Sequence, residues 1–203
     1  MNKIYPLFFL LTFLLTFSFS TPARANSFHT MGHLGYESVD VKHGDLKFEH
    51  SGVNLGVGLQ YAFLEIPEIE LLAGAGLKYS WLTGDATLVG VKSTAEISQP
   101  MISIEAGVGK SAISPALNFQ GTIGYDFGFL GVNTVKTSGE TQSEDLKKFG
   151  RATFNGRAFY RTVPTLDFGI QYSYLVGTLR AESGETLETT GYTLALTLRS
   201  VMN

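Results

Sequence analysis

Nine charged side chains fall on alternate positions of segments whose other positions are apolar: Glu37, Lys78, Glu105, Asp126, Arg151, Arg157, Arg161, Asp167 and Arg199. That is five cations against four anions, close to balance. Charges taken out of water must be paired or wetted, so the set suits a confined ion-pair network, either a plug that fixes strand register or a gate in a narrow pore. His33 and Glu37 share a face, with His29 in the same parity. A histidine beside a carboxylate is half of a hydrolase site, but no serine motif is linked to this one. His43 and His50 lie in a polar stretch, where a solvated surface is expected, because a metal site there lacks a third ligand. No catalytic, cofactor or metal residue is assigned.

The elements that would position these charges are read from the hairpin at residues 53–81. Its first arm is apolar at Val53, Leu55, Val57, Leu59, Tyr61 and Phe63, and its second at Ile69, Leu71, Ala73, Ala75, Leu77, Tyr79 and Trp81. The positions between are small or polar. A period of two over about ten residues is a strand signal, and about ten residues is what a tilted strand needs to cross a bilayer.

The amino terminus has Lys3, an apolar run over residues 4–19 and Ala23-Arg24-Ala25. This is the layout of a secretory signal peptide, so residues 1–25 are expected to be removed and residues 26–203 to form a single domain. The formal charge is −3, and it becomes more negative once Lys3 and Arg24 go, which argues against a nucleic-acid binder. There is no cysteine, so an exported chain must rely on backbone pairing and burial. Beyond the leader no stretch suits a spanning helix. If the mature chain enters a membrane it does so as a closed sheet, the only sheet that satisfies its backbone in lipid.

Eight strands are expected. The first, over residues 28–39, has the weakest pattern. The hairpin supplies the second and third, and the fourth begins after Pro100, which cannot donate to a ladder. The fifth spans residues 117–129, the sixth 151–161, the seventh 166–177 and the eighth 192–199. Short links carry Pro67, Pro115 and Pro164. Polar loops are expected over residues 41–51, 83–99, 131–148 and 181–188. Short turns on one rim and long loops on the other are the asymmetry of an outer-membrane barrel. A turn centred on Pro164 would set Arg161 opposite Asp167, Arg157 opposite Gln171 and Phe154 opposite Tyr174.

Alternation alone also fits a soluble lipocalin-like barrel with its apolar face inward. The other face favours lipid. It carries Gly56, Gly58, Gly74, Gly76, Gly107, Gly109, Gly124, Gly128 and Gly169, which suit a crowded lumen better than a wet surface. Aromatic residues gather near the strand ends of the apolar face. Tyr61, Phe63, Phe119, Tyr160 and Phe168 lie toward the short-turn rim, and Tyr79, Trp81, Tyr125, Phe127, Phe129 and Phe154 toward the other. Together they would form interfacial girdles.

Over about residues 28–201 this pattern resembles the small eight-stranded outer-membrane β-barrel superfamily, which includes the OmpA transmembrane domain and OmpX-like proteins. The resemblance implies an all-β, up-and-down transmembrane barrel in a bacterial outer membrane. It implies outer-membrane lipid, lipopolysaccharide and the barrel-assembly machinery as partners, with an unknown extracellular partner at the loops. A structural or surface-interaction role is expected, with no cofactor and no nucleic acid. The alternatives are a narrow channel, a lipid A-modifying enzyme, or a soluble periplasmic carrier.

Overall fold

Strand-forming alternation dictates an all-β chain. The computed structural model describes residues 27–202, apart from 44–45, 67–68, 89–90, 112–115, 129–130, 138–139, 182–183 and 185. The strands are β1 (Ser27–His43), β2 (Leu46–Ile66), β3 (Ile69–Leu88), β4 (Val91–Ser111), β5 (Leu117–Gly128), β6 (Gly131–Thr137), β7 (Glu140–Val163), β8 (Leu166–Ala181) and β9 (Thr186–Met202). All pairings are antiparallel, and β9 returns to pair with β1, closing the sheet. The expected signal peptide lies outside the described residues.

These nine segments make an eight-stave barrel, because β5 and β6 are two halves of one stave. Both lie between β4 and β7. On the β7 side the register runs through unbroken, from Gly128↔Phe149 to Gly131↔Leu146. On the β4 side it slips by one, from Met101↔Gly128 to Ser98↔Val132. The slip lies opposite Pro100, whose missing N–H cannot serve a continuous ladder. Contrary to the expectation that β4 begins after Pro100, the strand passes through it, pairing Pro100 with Tyr79. Phe129 lies outside the described residues.

The long polar loops read from the sequence are mostly strand. Residues 41–43 and 46–51 extend the β1–β2 hairpin, 83–88 and 91–99 the β3–β4 hairpin, and 131–137 pair with 140–146. The staves therefore run well past any bilayer at this end. The reason the sequence hid this is a reversal of side-chain phase. In the lower part of the barrel apolar residues point outward: Leu34 and Tyr36 on β1, Ile102 and Ile104 on β4, Tyr172, Tyr174 and Val176 on β8, Tyr192, Leu194, Leu196 and Leu198 on β9. Leu196 keeps 70% of its surface open. On β3 this belt runs from Ile69 to Trp81, about 30 Å of height at 3.3 Å per residue and a tilt near 40°. Above it the polarity inverts. Val39, Val41, Leu82, Ile97, Leu146, Phe149 and Leu179 point inward and pack together, while Lys42, Glu49, Thr83, Asp85, Thr178 and Glu188 are exposed outside. The chain is a membrane barrel below and a water-facing barrel with its own apolar core above.

Tyrosines mark the belt's upper edge. Tyr36 and Tyr192 rings lie 6.5 Å apart and Tyr172 and Tyr192 6.4 Å apart, while Tyr125 packs on Phe127 at 4.6 Å. At the opposite edge Phe28 packs on Tyr61 at 4.7 Å. Such pairs contribute about 0.5–1.5 kcal/mol each beyond burial. Of the girdle residues, Phe63, Tyr79, Trp81, Phe119, Tyr125, Phe127, Phe154, Tyr160 and Phe168 are exposed outward, and Tyr61 is half-buried.

Candidate functional site

The charged residues converge inside the lower barrel because alternate residues of every stave face the axis. They form three tiers. In the uppermost, the Arg151 guanidinium on β7 donates to Glu37 on β1 at 2.5 and 3.2 Å and to Asp126 on β5 at 2.9 Å. Lys78 on β3 donates to the other oxygen of Asp126 at 2.9 Å. Asn54 and Ser80 donate to Glu37 at 2.7 and 3.0 Å, and Thr193 at 3.4 Å. Glu37 and Asp126 are fully buried.

The middle tier centres on Glu105 of β4. Arg157 holds it with two parallel donations, at 2.9 and 2.7 Å, and bonds Gln171 across the β7–β8 hairpin at 2.7 Å. Thr122, Asn155 and Gln60 complete the carboxylate's partners at 3.0, 3.3 and 3.3 Å. The third tier lies at the short-turn rim. Asp167 accepts from Arg199 at 2.5 and 2.9 Å and from Arg161 at 3.1 Å. Arg199 also donates to Asn118 at 3.1 Å and stacks its guanidinium on Phe159, 4.3 Å from the ring centre. Arg161 alone of these cations is largely open to solvent, with 42% of its side chain exposed.

Sequence reasoning missed two lumen residues. Glu70 shares the inward parity of Leu72 and Lys78, and its carboxylate lies within 3.1 Å of where a side chain at Gly109 would begin. It brings the described lumen charges to five of each sign. Phe159, the platform for Arg199, is likewise inward and 1% exposed. Parity alone would have found both.

Among the described residues His33 and Glu37 share a network through Asn54 but do not bond each other. His33 Nε2 and the Asn54 side-chain oxygen are 2.6 Å apart, and Asn54's amide is committed to Glu37 and Ser80. That leaves His33 as the donor, with its proton on Nε2. Its ring lies over Gly56, where any side chain would collide with it. Glu37 is taken by Arg151. His29 bonds Ser27 at 3.1 Å and reaches Gln60 at 3.5 Å, with both histidine and serine buried. His50 was expected on a solvated loop, yet it is 5% exposed on an inward position of β2. Among the described residues its Nδ1 has no hydrogen-bond partner, and burial pushes its pKa below the usual histidine value. The side chain of His43 lies outside the described residues. No cluster with metal-binding composition occurs among the described residues.

Chemically, every carboxylate of the three tiers already has a cation and hydrogen-bond donors, so none stands free as an acid or base. The space left between Met31, His33, Lys78, Glu105, Arg157 and Gln171 is about 30 Å3, room for a water or two. Above, a gap of about 10 Å3 remains among Val39, Leu82, Phe149, Arg151 and Leu175.

Residues 9–199 match the family model described as outer membrane protein beta-barrel domain. No curated protein matches the sequence. Among solved structures, the chain is similar to a major outer membrane protein from Thermus thermophilus, with 11% identity, TM-score 0.55, and 88% of this chain and 100% of that one covered. It is similar to the outer membrane protease OmpT from Escherichia coli, with 8% identity, TM-score 0.51, and coverage of 90% and 98%. Neisserial surface protein A matches at 10% identity and TM-score 0.48, with coverage of 85% and 96%. At these identities the likeness is one of fold.

Proposed function

The chain belongs to the outer-membrane protein β-barrel domain family, which places it in a bacterial outer membrane, and we propose that it is a non-conducting barrel that presents a rigid surface outside the cell. In such barrels the short turns face the periplasm. By that convention the inverted upper half stands in the medium. The observation that carries the proposal is the phase reversal. A chain that only spanned the membrane would end its strands at the Trp81–Tyr192 level, whereas this one uses a second apolar core to hold extended hairpins upright. Rigid scaffolds that hold exposed hairpins are where binding resides. Below that core, the three ion-pair tiers leave no passage for a solute. No enzymatic role is proposed. Assembly would pass through the barrel-assembly machinery after removal of residues 1–25.

The test has two arms. Purified barrel in planar bilayers is expected to give no discrete conductance steps, and steps altered by Arg157→Ala would establish a channel instead. On cells, replacing residues 132–145 with a two-residue turn is expected to abolish binding to host or neighbouring-cell surfaces while the unboiled gel band still migrates fast. Binding unchanged by replacement of this and the other upper hairpins would overturn the surface role.

A further inference from the structure

Above the apolar core the sheet no longer closes. The β7–β8 ladder ends at Leu146↔Ala181, and the chain turns back into β9, where Thr186 pairs with Arg180. β7 continues upward over residues 140–145, held on its other side by β6 as far as Thr137↔Glu140. β6 in turn pairs with β4, and β4 with β3. Among the described residues no strand pairs with 140–145 on the β8 side. The unpaired N–H and C=O groups of such an edge are a template for another strand. The stretch is about 20 Å long, the length of an ordinary strand. Two other edges open at this height, β2 over residues 46–50 and β3 over residues 84–88. These two face each other, and a side chain at Gly84 would begin 2.5 Å from the Glu49 carbonyl oxygen. That contact leaves no room for a strand at the base of their gap.

The β7 edge is stiff and carries one sign of charge. The Thr134 and Ser143 hydroxyls lie 3.2 Å apart across the β6–β7 hairpin, the register there is unbroken, and no proline or glycine interrupts residues 140–145. An edge already held in place loses little freedom when it pairs. Its sequence, Glu140-Thr141-Gln142-Ser143-Glu144-Asp145, has three acids and no base. Lys136 is the cross-strand partner of Thr141, but it lies 3.8 Å from Glu96 on the β4 side, away from the open edge. Lys147 and Lys148 come only at the foot, where β7 bulges and joins β8. The acids exclude a second copy of the chain. Two copies in one membrane point the same way, so their β7 edges would meet in parallel, Glu140 beside Glu140 and Glu144 beside Glu144. Copies on opposing cells would meet antiparallel, with Glu140 facing Asp145. Like charges on facing strands repel, so the edge rejects itself and suits a strand of opposite charge.

We propose that residues 140–145 of β7 bind an extended, lysine- or arginine-rich polypeptide segment by strand addition. Main-chain hydrogen bonds supply the pairing, and the acids select the sequence. The proposal rests on the reading that the upper hairpins stand in the medium, and it names how the β6–β7 hairpin holds a partner there. Thr141, Ser143 and Asp145 are exposed, so an added strand sets its outer side chains beside two hydroxyls and a carboxylate.

The experiment uses the full mature barrel in phosphatidylcholine nanodiscs and three capped peptides: alternating lysine and threonine, alternating glutamate and threonine, and the lysine peptide with every backbone nitrogen methylated. Fluorescence anisotropy reads affinity, and amide hydrogen exchange reads the place. Wild type is expected to bind the lysine peptide with new protection of the amides at 140–145. The Glu140→Gln/Glu144→Gln/Asp145→Asn variant should bind it about tenfold more weakly, from the loss of about three cross-strand charge pairs. Asp85→Asn, an exposed acid on β3 away from this edge, should bind like wild type, and the heat-shift gel confirms that each variant is a closed barrel. Equal binding of the methylated peptide overturns strand addition, because that peptide keeps the charge and cannot donate. Equal binding of the glutamate peptide, or by the triple variant, overturns selection by the acids. A doubled barrel mass without peptide, lost when residues 132–145 are replaced by a short turn, would assign the edge to a second copy and overturn the proposal. Labelling of Ser143→Cys on intact cells with an impermeant maleimide separates the two failures. No labelling sinks the outward orientation whatever the peptide result, whereas labelling without peptide binding leaves the surface role standing and overturns strand addition alone.

Discussion

Replacing Arg151 should be the most damaging single change in the lumen. Arg151 bridges Glu37 and Asp126, both fully buried and contributed by staves on different sides of the barrel. Arg151→Met keeps most of the stem volume but removes the charge. Asp126 retains Lys78. Glu37 is left with only the neutral donors Asn54, Ser80 and Thr193. Leaving a buried charge uncompensated costs about 3–5 kcal/mol. At the rim, Arg161→Ala leaves Asp167 its Arg199 partner, and with 42% of the Arg161 side chain in solvent the cost should stay within about 1 kcal/mol. The double variant Glu37→Gln/Arg151→Met removes the stranded charge and should recover most of the loss, because replacing both partners of a buried pair is often near neutral. Urea unfolding in detergent micelles, followed by fluorescence of Trp81, the sole tryptophan, reads all three. An Arg151→Met barrel within about 1 kcal/mol of wild type, or a double variant as unstable as the single, would refute the idea that the tier holds the lumen together through this pair.

Three further outcomes follow from the same geometry. Phe149→Ala, in the upper core, should cost about 3–5 kcal/mol, seen as faster amide exchange in β7 and β8 above the belt with the lower barrel unchanged. Lysine scanning of β8 should find Ile170→Lys costly by about 2–4 kcal/mol, as for a charge on the lipid face, Leu179→Lys also destabilising because it enters the upper core, and Thr178→Lys neutral in urea titrations. His50 is held neutral by burial, with a folded pKa below its unfolded value. The unfolded chain therefore takes up the proton first, and stability contributed by neutral His50 is lost as pH falls below about 6.5. Exchange protection of β1 and β2 beyond the belt should drop between about pH 7 and pH 5 in wild type and hold steady in His50→Leu.

How much was legible in the sequence depended on whether a tight turn or a constant phase fixed the register. Around Pro164 the turn left little freedom, and Arg161 stands opposite Asp167, Arg157 opposite Gln171 and Phe154 opposite Tyr174, as the alternation places them. The closed all-β barrel was legible for the same reason, since each stave carries several apolar residues in one parity. The upper half was not. Tyr36 and Val39 are three apart, as are Val176 and Leu179, so an apolar residue changes parity where lipid gives way to water, and a search for constant period takes the reversal for a loop. His50 was misplaced by that error. The slip opposite Pro100 was hidden because a proline reads as a strand boundary, whereas here the neighbouring stave absorbs it. Glu70 was overlooked beside the turn at Pro67, though its parity is that of Lys78.

The phase reversal is tested most directly by cysteine scanning along β8, which the cysteine-free sequence permits without background. Single cysteines at residues 170–180 would be labelled on intact cells with an impermeant maleimide, and in liposomes with a lipid-soluble probe. Positions 170, 172, 174 and 176 should meet only the lipid probe, 178 and 180 only the aqueous one, and 171, 173, 175 and 179 neither. Aqueous labelling of 179 as strong as that of 180, or lipid contact continuing through 178 and 180, would contradict the two-part barrel.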